Sequence, residues 1–507
     1  MSIKTKLVTT IIKQKISRIT SSLNFWANLL AIALLLFIAV IAIMNPDPSW
    51  DSQEYHLPFA ARLAGIFTKD EYKMRPMVEG YYDGIAKLTE FVQGILWRMT
   101  ELPGAANLVG LISLMILIVV SSLLFKIPLW QLTLFYLSIP LVLRHSYSSY
   151  VDLAANAFLT LAIVTFFSAI MQKDYSIKKL VFILIPLAIS ANMKLYQLVI
   201  GAVLAVIIFL FFAFSWIKAK IRLKKILLYL LIFLIFIAAA YWQLGYNYFR
   251  FSNPIYPISF TFQGHEFPGN SKASTYSHIV NAFSMPKDNP YYFARSLTEM
   301  DLWRVRPGTM YTIDMNLGHY NAILSARMGG FFVVNLIFWG VGLLIFSLFS
   351  QNRAIFKCLV ILGILAVTAS FLPSSSELRY VMFLPLTLAT LFLIGLQDPI
   401  RKRWSKVTGT VIQVAIFVFV AYLVVARSDY FPRALTLEQC HTQVAEVKAK
   451  YVVDVVSPVC IYGETPEAFY YKLANPDLEI EFLRDEGDCT YENRIGLEQI
   501  SAYRVNP

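Results

Sequence analysis

The sequence predicts an all-α polytopic membrane protein with a small soluble α/β module at its C-terminus. Of its 507 residues, 57% are hydrophobic and only 15% are charged, and the mean hydropathy is +0.58, values typical of a chain that lies mostly in lipid. Apolar runs long enough to cross a bilayer recur along it. The net charge of +12 does not indicate nucleic-acid binding, because Lys and Arg gather between the apolar runs.

A bilayer core of about 30 Å needs about 20 apolar residues per helix, and on that scale the chain holds about eleven spans. In order they are Phe25–Met44, Ala105–Phe125, Leu129–Leu143, Leu153–Met171, Leu180–Asn192, Tyr196–Phe214, Ile226–Leu244, Gly330–Phe349, Cys358–Leu372, Val381–Leu396 and Val407–Ala426. The third and fifth are short. The first is too long for a cleaved signal peptide, so we expect a retained anchor.

Charge bias in the short connections predicts the orientation, because cytoplasmic loops retain Lys and Arg. One side carries Lys4, Lys6, Lys13, Lys15, Arg18, Lys126, Lys173, Lys178, Lys179, Lys218, Lys220, Arg222, Lys224, Lys225, Arg353, Lys357, Arg401, Lys402, Arg403 and Lys406. That side is predicted to be cytoplasmic, with the N-terminus. The long segments 45–104 and 245–329 then lie outside.

Residues 1–426 are therefore predicted to form the membrane domain, and residues 427–507 an extracytoplasmic module. The module contains alternating runs such as YVVDVVSPVCIYG and LEIEFL, which are typical of a small α/β unit. Its three cysteines, Cys440, Cys460 and Cys489, permit one disulfide in an oxidising compartment, and the sequence leaves the pairing open.

Candidate acidic residues lie where predicted spans meet the outer surface. The stretch SWDSQEYHLPF follows the first span and holds Asp51, Glu54 and His56, and Asp152 follows RHSYSSYV at the outer start of another span. Asp51 and Glu54 are three residues apart, so a helix would place them on nearly the same face. An interfacial helix with solvated charges is the simple interpretation; a functional site is the alternative that ionisable residues at such positions favour.

Two outward cations depart from the charge bias: Lys194 in ANMKLYQ and Arg379 in SSSELRYVMF. Snorkelling at the membrane surface would explain them. Binding of an anion would also explain them, and a lipid phosphate of the outer leaflet is the obvious anion.

The order of the motifs resembles the bacterial GT-C glycosyltransferases. The motifs are an acidic residue and YHLP after the first span, VDLAANAFLTLA, MKLY, SNPIYP and RY. Together they cover about residues 45–396, and they are most similar to the branch related to protein O-mannosyltransferases and the lipid A aminoarabinose transferase. The resemblance implies a GT-C-like catalytic domain in residues 1–426.

The same resemblance implies an enzyme of the bacterial inner membrane that takes a sugar from a polyprenyl-phosphate donor. The sugar would pass to an acceptor hydroxyl, on a glycolipid, polysaccharide or protein, at the extracytoplasmic face. Asp51 would act as base or orient the acceptor, and Asp152 would assist. Glu54 is a further catalytic candidate, although the family has two adjacent acidic residues where this chain separates Asp51 and Glu54 by two positions.

In this interpretation, Lys194 and Arg379 hold the donor phosphate. The aromatic residues next to the charged candidates are assigned to substrate binding: Tyr55, His56, Tyr196 and Tyr380. A donor whose lipid tail stays in the bilayer presents its anomeric carbon just above the surface, which explains acidic residues at span ends.

Three chemical expectations follow. A water-poor site beside other carboxylates would raise the pKa of Asp51 from about 3.9 toward the working range of a base. Direct displacement by the acceptor would invert the anomeric centre. Oxygen and nitrogen ligands are present for a divalent ion, but their spacing matches no tight metal signature, so we expect no required cofactor.

Two other classes remain open from the sequence. A transporter or flippase would show inverted repeats and charges near the bilayer midplane, whereas these candidates lie at outer span ends. A polymerase or ligase of lipid-linked saccharides shares the compartment and the carrier, but it uses a pyrophosphate-linked donor.

Overall fold

The structure, a computed structural model, describes residues 3–44, 47, 49, 51–262, 264–269, 289–298, 332–349, 354–372, 375 and 377–397. In the C-terminal part it describes residues 459–462, 469, 472–473, 480–483 and 494–495. Within these residues, five helices are long and apolar enough to cross a membrane: Asn24–Met44, Pro103–Phe125, Asp152–Gln172, Leu195–Lys218 and Leu223–Phe251.

The first half of the chain is helical almost throughout. Its helices are α1 (Ile3–Met44), α2 (Leu57–Leu63), α3 (Pro76–Gly84), α4 (Leu88–Thr100), α5 (Leu108–Phe125), α6 (Leu129–Leu137), α7 (Pro140–His145), α8 (Asp152–Gln172), α9 (Ile177–Ala191), α10 (Leu195–Lys218) and α11 (Leu223–Phe251). A π-helical turn, Ser52–His56, leads into α2, and a 3₁₀ turn, Pro103–Asn107, leads into α5.

The described residues of the second half form an antiparallel hairpin and four helices. The hairpin pairs β1 (Phe260–Phe262) with β2 (His265–Phe267). The helices are α12 (Asn289–Thr298), α13 (Phe332–Phe349), α14 (Ala354–Ser370) and α15 (Phe383–Gln397). A 3₁₀ turn, Leu378–Val381, precedes α15.

Two of the eleven predicted spans need comment. The third, Leu129–Leu143, is not one helix: it is divided into α6 and α7, because Pro140 has no N–H with which to continue a helix from the residues before it. Each piece is too short to cross a bilayer alone. The eleventh, Val407–Ala426, lies outside the described residues, as does the boundary proposed at residue 427.

Helix α8 lies at the centre of the membrane part. In an 18-residue apolar stretch of its span, 94% of the residues are buried, whereas only 6% are buried in the corresponding stretch of α11. Small residues such as Ala154, Ala155 and Ala157 let α5 and α9 pack closely on α8, and α15 contacts it as well. The sequence of α8 is therefore apolar on every side, as expected of a helix enclosed by protein.

The described residues of the segment 45–104 form a layer of short helices at one end of this bundle. Helix α4 crosses α2 at Gly94, where an added Cβ would lie 2.3 Å from the carbonyl oxygen of Ala60. The buried ring of Phe469, from the C-terminal part, contacts Phe67, Tyr72 and Trp97 of this layer. The C-terminal part is thereby packed against the segment that carries Asp51.

Three short parallel strands are described in the C-terminal part: β3 (Val459–Tyr462), β4 (Ile480–Leu483) and β5 (Arg494–Ile495), in the order β4-β3-β5. Cys460 lies in β3. Cys440 and Cys489 lie outside the described residues, so the predicted disulfide is not addressed.

Candidate active site

The structure brings Asp51 and Arg379 into direct contact across 328 positions of sequence. Asp51 lies just before the π-helical turn, and Arg379 lies in the 3₁₀ turn that precedes α15. Arg379 Nη1 donates to Asp51 Oδ2 at 2.6 Å, and Arg379 Nε donates to Glu377 Oε2 at 2.9 Å. One guanidinium therefore joins two carboxylates.

A second ion pair joins Lys194 to Asp152. Lys194 Nζ donates to Asp152 Oδ1, and Asp152 is fully buried as the first residue of α8. The positive end of the helix dipole stabilises a carboxylate at this position. Asp152 Oδ2 has no hydrogen-bond partner in the part of the chain that the structure describes, so the buried carboxylate keeps one oxygen for a further donor.

Aromatic rings unite the two ion pairs into one site. The Arg379 guanidinium lies 5.2 Å from the ring centre of Tyr150 and 5.0 Å from that of Tyr380. Lys194 Nζ lies 4.1 Å from the same Tyr380 ring, which stands 5.2 Å from the ring of Tyr196. Tyr380 thus contacts both cations, and the site is held by cation–π contacts as well as charge.

Buried amides fix the backbone that carries Arg379. Asn156 Nδ2 donates to the carbonyl oxygens of Asp152, at 2.8 Å, and of Arg379, at 3.0 Å, while Asn156 Oδ1 accepts from the backbone N–H of Phe383 at 2.9 Å. Gln197 Nε2 donates to the carbonyl oxygen of Tyr380 at 3.2 Å. The Arg379 turn is therefore tied to α8 and α10.

Burial by itself raises the pKa of Asp51, but the Arg379 guanidinium, His56 and the Tyr55 hydroxyl outweigh it and hold that pKa below its ordinary value. The expectation of a raised Asp51 pKa is wrong, because the nearest charged group is a cation and not another carboxylate. For Arg379, burial favours the neutral form, yet the neighbouring Tyr380, Asp51 and Glu377 leave its pKa above the ordinary range. Both groups are charged at neutral pH.

Glu54 does not share the Asp51 face. It forms an ion pair with Arg75, while the Tyr55 hydroxyl, like Arg379, hydrogen-bonds Asp51. The reason is the π-helical turn, which holds more residues per turn than an α-helix. In this turn, residues four apart share a face, as Asp51 and Tyr55 do. In an α-helix, residues three apart, such as Asp51 and Glu54, would have shared it. The expectation that Asp51 and Glu54 lie on one face is wrong.

His56 is buried beside Tyr55 and Tyr150. Its Nδ1 lies 2.9 Å from Glu90 Oε1 of α4, and only 3% and 2% of the two side chains are exposed. Its ring is 4.2 Å from the ring of Tyr55 and 6.0 Å from that of Tyr150. Among the described residues, neither His56 Nε2 nor Glu90 Oε2 has a hydrogen-bond partner.

The charges of Asp152, Arg379 and Lys194 influence the pKa of a second histidine, His145. Burial lowers the pKa of His145 to about 3, so its imidazole is neutral. Both ring nitrogens lack a partner within the described ranges.

The sequence analysis did not single out Asp47, which holds together segments next to the site. Its carboxylate accepts hydrogen bonds from the Ser52 hydroxyl at 2.6 Å and from the backbone N–H of Ser149 at 2.7 Å. Asp47 therefore ties the end of α1 to the π-helical turn and to the loop that carries Tyr150. No motif marked it, since an Asp after an apolar run is common at membrane surfaces.

Asn156 and Glu90 were also missed, but each left a signal. Asn156 is a polar residue in an apolar run, one helical turn after Asp152 on the same face. Glu90 and Gln93 are buried on α4, three residues apart. Glu377 is two residues before Arg379, so its ion pair with Arg379 could have been predicted from their closeness in sequence.

The described residues contain no group of three or more His, Cys, Asp or Glu side chains placed to hold a metal ion. The two carboxylates of the site are instead occupied by Arg379 and Lys194. The arrangement of two cations at the rim of an apolar bundle is suited to an anionic group attached to a lipid.

No protein-family model and no curated protein sequence matches the chain. A comparison of folds finds similarity to the crystal structure of ArnT from Cupriavidus metallidurans bound to undecaprenyl phosphate. The identity is 13%, the TM-score is 0.49, and the match covers 89% of this chain and 85% of the other. Similarity at this level does not establish a shared function, so function has to be inferred from the site.

Proposed function

We propose that the chain is an integral membrane glycosyltransferase that transfers a sugar from a polyprenyl-phosphate donor to an acceptor hydroxyl at the extracytoplasmic face of the bacterial inner membrane. The observation that carries the proposal is the convergence of Arg379 and Lys194, from different segments, on two carboxylates at the ends of apolar helices. The motif resemblance in residues 45–396 supports the same class.

The donor phosphate replaces the carboxylates as the partner of the two cations. A guanidinium binds phosphate oxygens in pairs, and an ammonium adds a point charge. As the bond from the anomeric carbon to the phosphate oxygen breaks, negative charge grows on the phosphate, and pre-placed cations stabilise that charge most strongly. One such partner contributes about 3 kcal/mol to the transition state.

The carboxylates of Asp51 and Asp152 serve the acceptor. In the state described, each is held by a cation, and the phosphate that takes over the cation frees the carboxylate. Asp51 then binds the acceptor hydroxyl, as its orienting group or as its base, and Asp152 completes the acidic pocket from the end of α8. A single displacement inverts the anomeric centre.

The aromatic residues bind the substrates around this centre. Tyr380 and Tyr196 form a wall beside Lys194, and Tyr55 donates to Asp51. Glu54 pairs with Arg75, so its catalytic role would be indirect, through the fold of the π-helical turn. No metal ion is needed in this mechanism, since Arg379 and Lys194 supply the positive charge.

The experiment is an assay of purified protein with a panel of polyprenyl-phosphate sugars, with and without EDTA. Release of free polyprenyl phosphate, unaffected by EDTA, is the expected result. Activity with pyrophosphate-linked donors alone would instead identify a polymerase or ligase. Movement of intact donor across vesicles without cleavage would identify a flippase.

A further inference from the structure

The His56–Glu90 pair has an arrangement that a structural ion pair does not require. With Glu90 Oε1 at 2.9 Å from Nδ1, Nδ1 carries the proton in the neutral imidazole, and Nε2 presents its lone pair. Buried polar atoms normally have partners. Here His56 Nε2 and Glu90 Oε2 have none among the described residues.

The unpartnered nitrogen belongs to a residue close to Asp51. His56 is five residues after Asp51 on a π-helical turn and contributes to the electrostatic environment of Asp51. Its ring is 6.0 Å from that of Tyr150, and the Arg379 guanidinium lies 5.2 Å from the same Tyr150 ring. In the proposed reaction, an acceptor hydroxyl bound at Asp51 would have His56 as a neighbour.

The other candidate bases are less suited to accept a proton from the acceptor hydroxyl. Asp51 is engaged by Arg379 at 2.6 Å, and its pKa is lowered. The pKa of His145 is about 3, and no carboxylate among the described residues contacts its ring. Glu54 is paired with Arg75.

We propose that His56 is the general base of the transfer and that Glu90 is the positioning residue that holds its imidazole. The inference rests on the proposed function. The acceptor oxygen forms a bond to the anomeric carbon as the bond from that carbon to the phosphate oxygen breaks. The electron pair leaves with polyprenyl phosphate, and the acceptor proton passes to Nε2. Glu90 stabilises the imidazolium, which later returns the proton to water.

The groups that face His56 come from three elements. Glu90 approaches from α4, Asp51 and Tyr55 from its own segment, and Tyr150 from the loop before α8. Of these, only Glu90 contacts a ring nitrogen. Removal of the Glu90 carboxylate should therefore affect the orientation of the His56 ring more than any other single change.

The experiment is the pH profile of kcat/KM for sugar transfer by the full-length protein. We expect His56→Gln to lose roughly 10²-fold in kcat, with loss of the acidic limb of the profile. Glu90→Gln should lower kcat roughly tenfold and leave KM for the donor unchanged, because the imidazole loses the carboxylate that orients it. Asp51→Asn should keep the limb although its turnover falls.

Two control variants separate this role from folding. Glu79→Gln removes a carboxylate that pairs with Arg62 in the same layer, and His265→Gln removes an exposed imidazole; both should retain the wild-type profile. A wild-type kcat in Glu90→Gln would overturn the proposal, and so would a limb that persists in His56→Gln but vanishes in Asp51→Asn. If His56→Gln does not fold, kcat and KM of Glu90→Gln decide. Absence of any transfer by the wild type would count against the proposed function itself.

Discussion

At the scale of single residues, Arg379 is shared among two carboxylates and two rings. Its guanidinium contacts Asp51 and Glu377 and lies over Tyr150 and Tyr380. Because these partners use the fork of donors that phosphate would need, a donor phosphate bound as proposed would have to exchange with Asp51. In that proposal, the ion pair keeps the cation ordered before the donor arrives.

The two cations should determine use of the donor. Arg379→Gln and Lys194→Met are each expected to weaken donor use at least about tenfold, about 1.4 kcal/mol, because each removes a charge from the phosphate site. The measurement is kcat/KM for the donor. Lys178→Ala, which removes an exposed lysine at the start of α9, is the control.

Arg379→Gln also leaves buried carboxylates without their cation, which destabilises the fold. Lys194→Met is therefore the decisive variant if Arg379→Gln does not fold. Donor kinetics equal to wild type in a folded Lys194→Met would show that Lys194 is a surface cation.

The lowered pKa of Asp51 predicts how stability depends on pH. A carboxylate whose pKa is lower in the folded state stabilises the fold above its unfolded pKa, about 3.9, and loses that contribution as the pH falls through the folded value. The difference in thermal unfolding midpoint between wild type and Asp51→Asn should therefore be steady near neutral pH and shrink in acid. A difference that widens in acid would contradict the Asp51–Arg379 ion pair.

At the scale of elements, the site depends on the start of α8 being joined to the start of α15. Asn156 makes that connection with hydrogen bonds to Arg379 and Phe383. Its side chain is fully buried, so each amide atom that loses its partner carries a desolvation cost.

Asn156→Leu keeps the volume but removes these hydrogen bonds. We expect a loss of about 1–3 kcal/mol in stability and a higher KM for the donor, because the Arg379 turn is no longer fixed. Thermal unfolding and donor kinetics are the measurements. Thr160→Val, one turn along α8, removes only a hydrogen bond within the helix and should retain donor kinetics; equal effects of both variants would contradict a specific role for Asn156.

Helix spans were predictable where apolar length alone decides them, as in α5, α8, α10 and α11. The division between α6 and α7 was not recognised, although Pro140 marks it. That Asp51 and Arg379 lie on the same side of the membrane could be predicted from the sequence. Their direct contact could not be predicted, because the two residues are 328 positions apart. The π-helical turn could not be predicted, because such turns are rare and no residue pattern in SWDSQEYHLPF marks one.

At the scale of the whole molecule, the charge pattern predicts on which side of the membrane the C-terminal part lies. The cations between spans predict a cytoplasmic N-terminus, and about eleven predicted spans would then put residues 427–507 outside. The packing of Phe469 against Phe67, Tyr72 and Trp97 supports this, since it joins the C-terminal part to the segment that carries Asp51.

A topology reporter fused after Pro507 should be active only in the extracytoplasmic compartment. A second fusion in the connection between α10 and α11, at Lys220, should be active only in the cytoplasm, because that connection is rich in Lys and Arg. A cytoplasmic signal from the Pro507 fusion would contradict either the predicted orientation or the odd number of spans, and the signal at Lys220 would show which of the two is wrong.

The ion pair of Asp51 and Arg379 is proposed to be the reacting centre of a sugar transfer. The most direct test is the release of polyprenyl phosphate by wild type and by Asp51→Asn, purified and saturated with donor. Asp51→Asn preserves size, so the variant should fold and bind donor, and it should lose roughly 10²-fold or more in turnover. Turnover close to wild type in Asp51→Asn would show that the carboxylate lies beside the reaction and not in it.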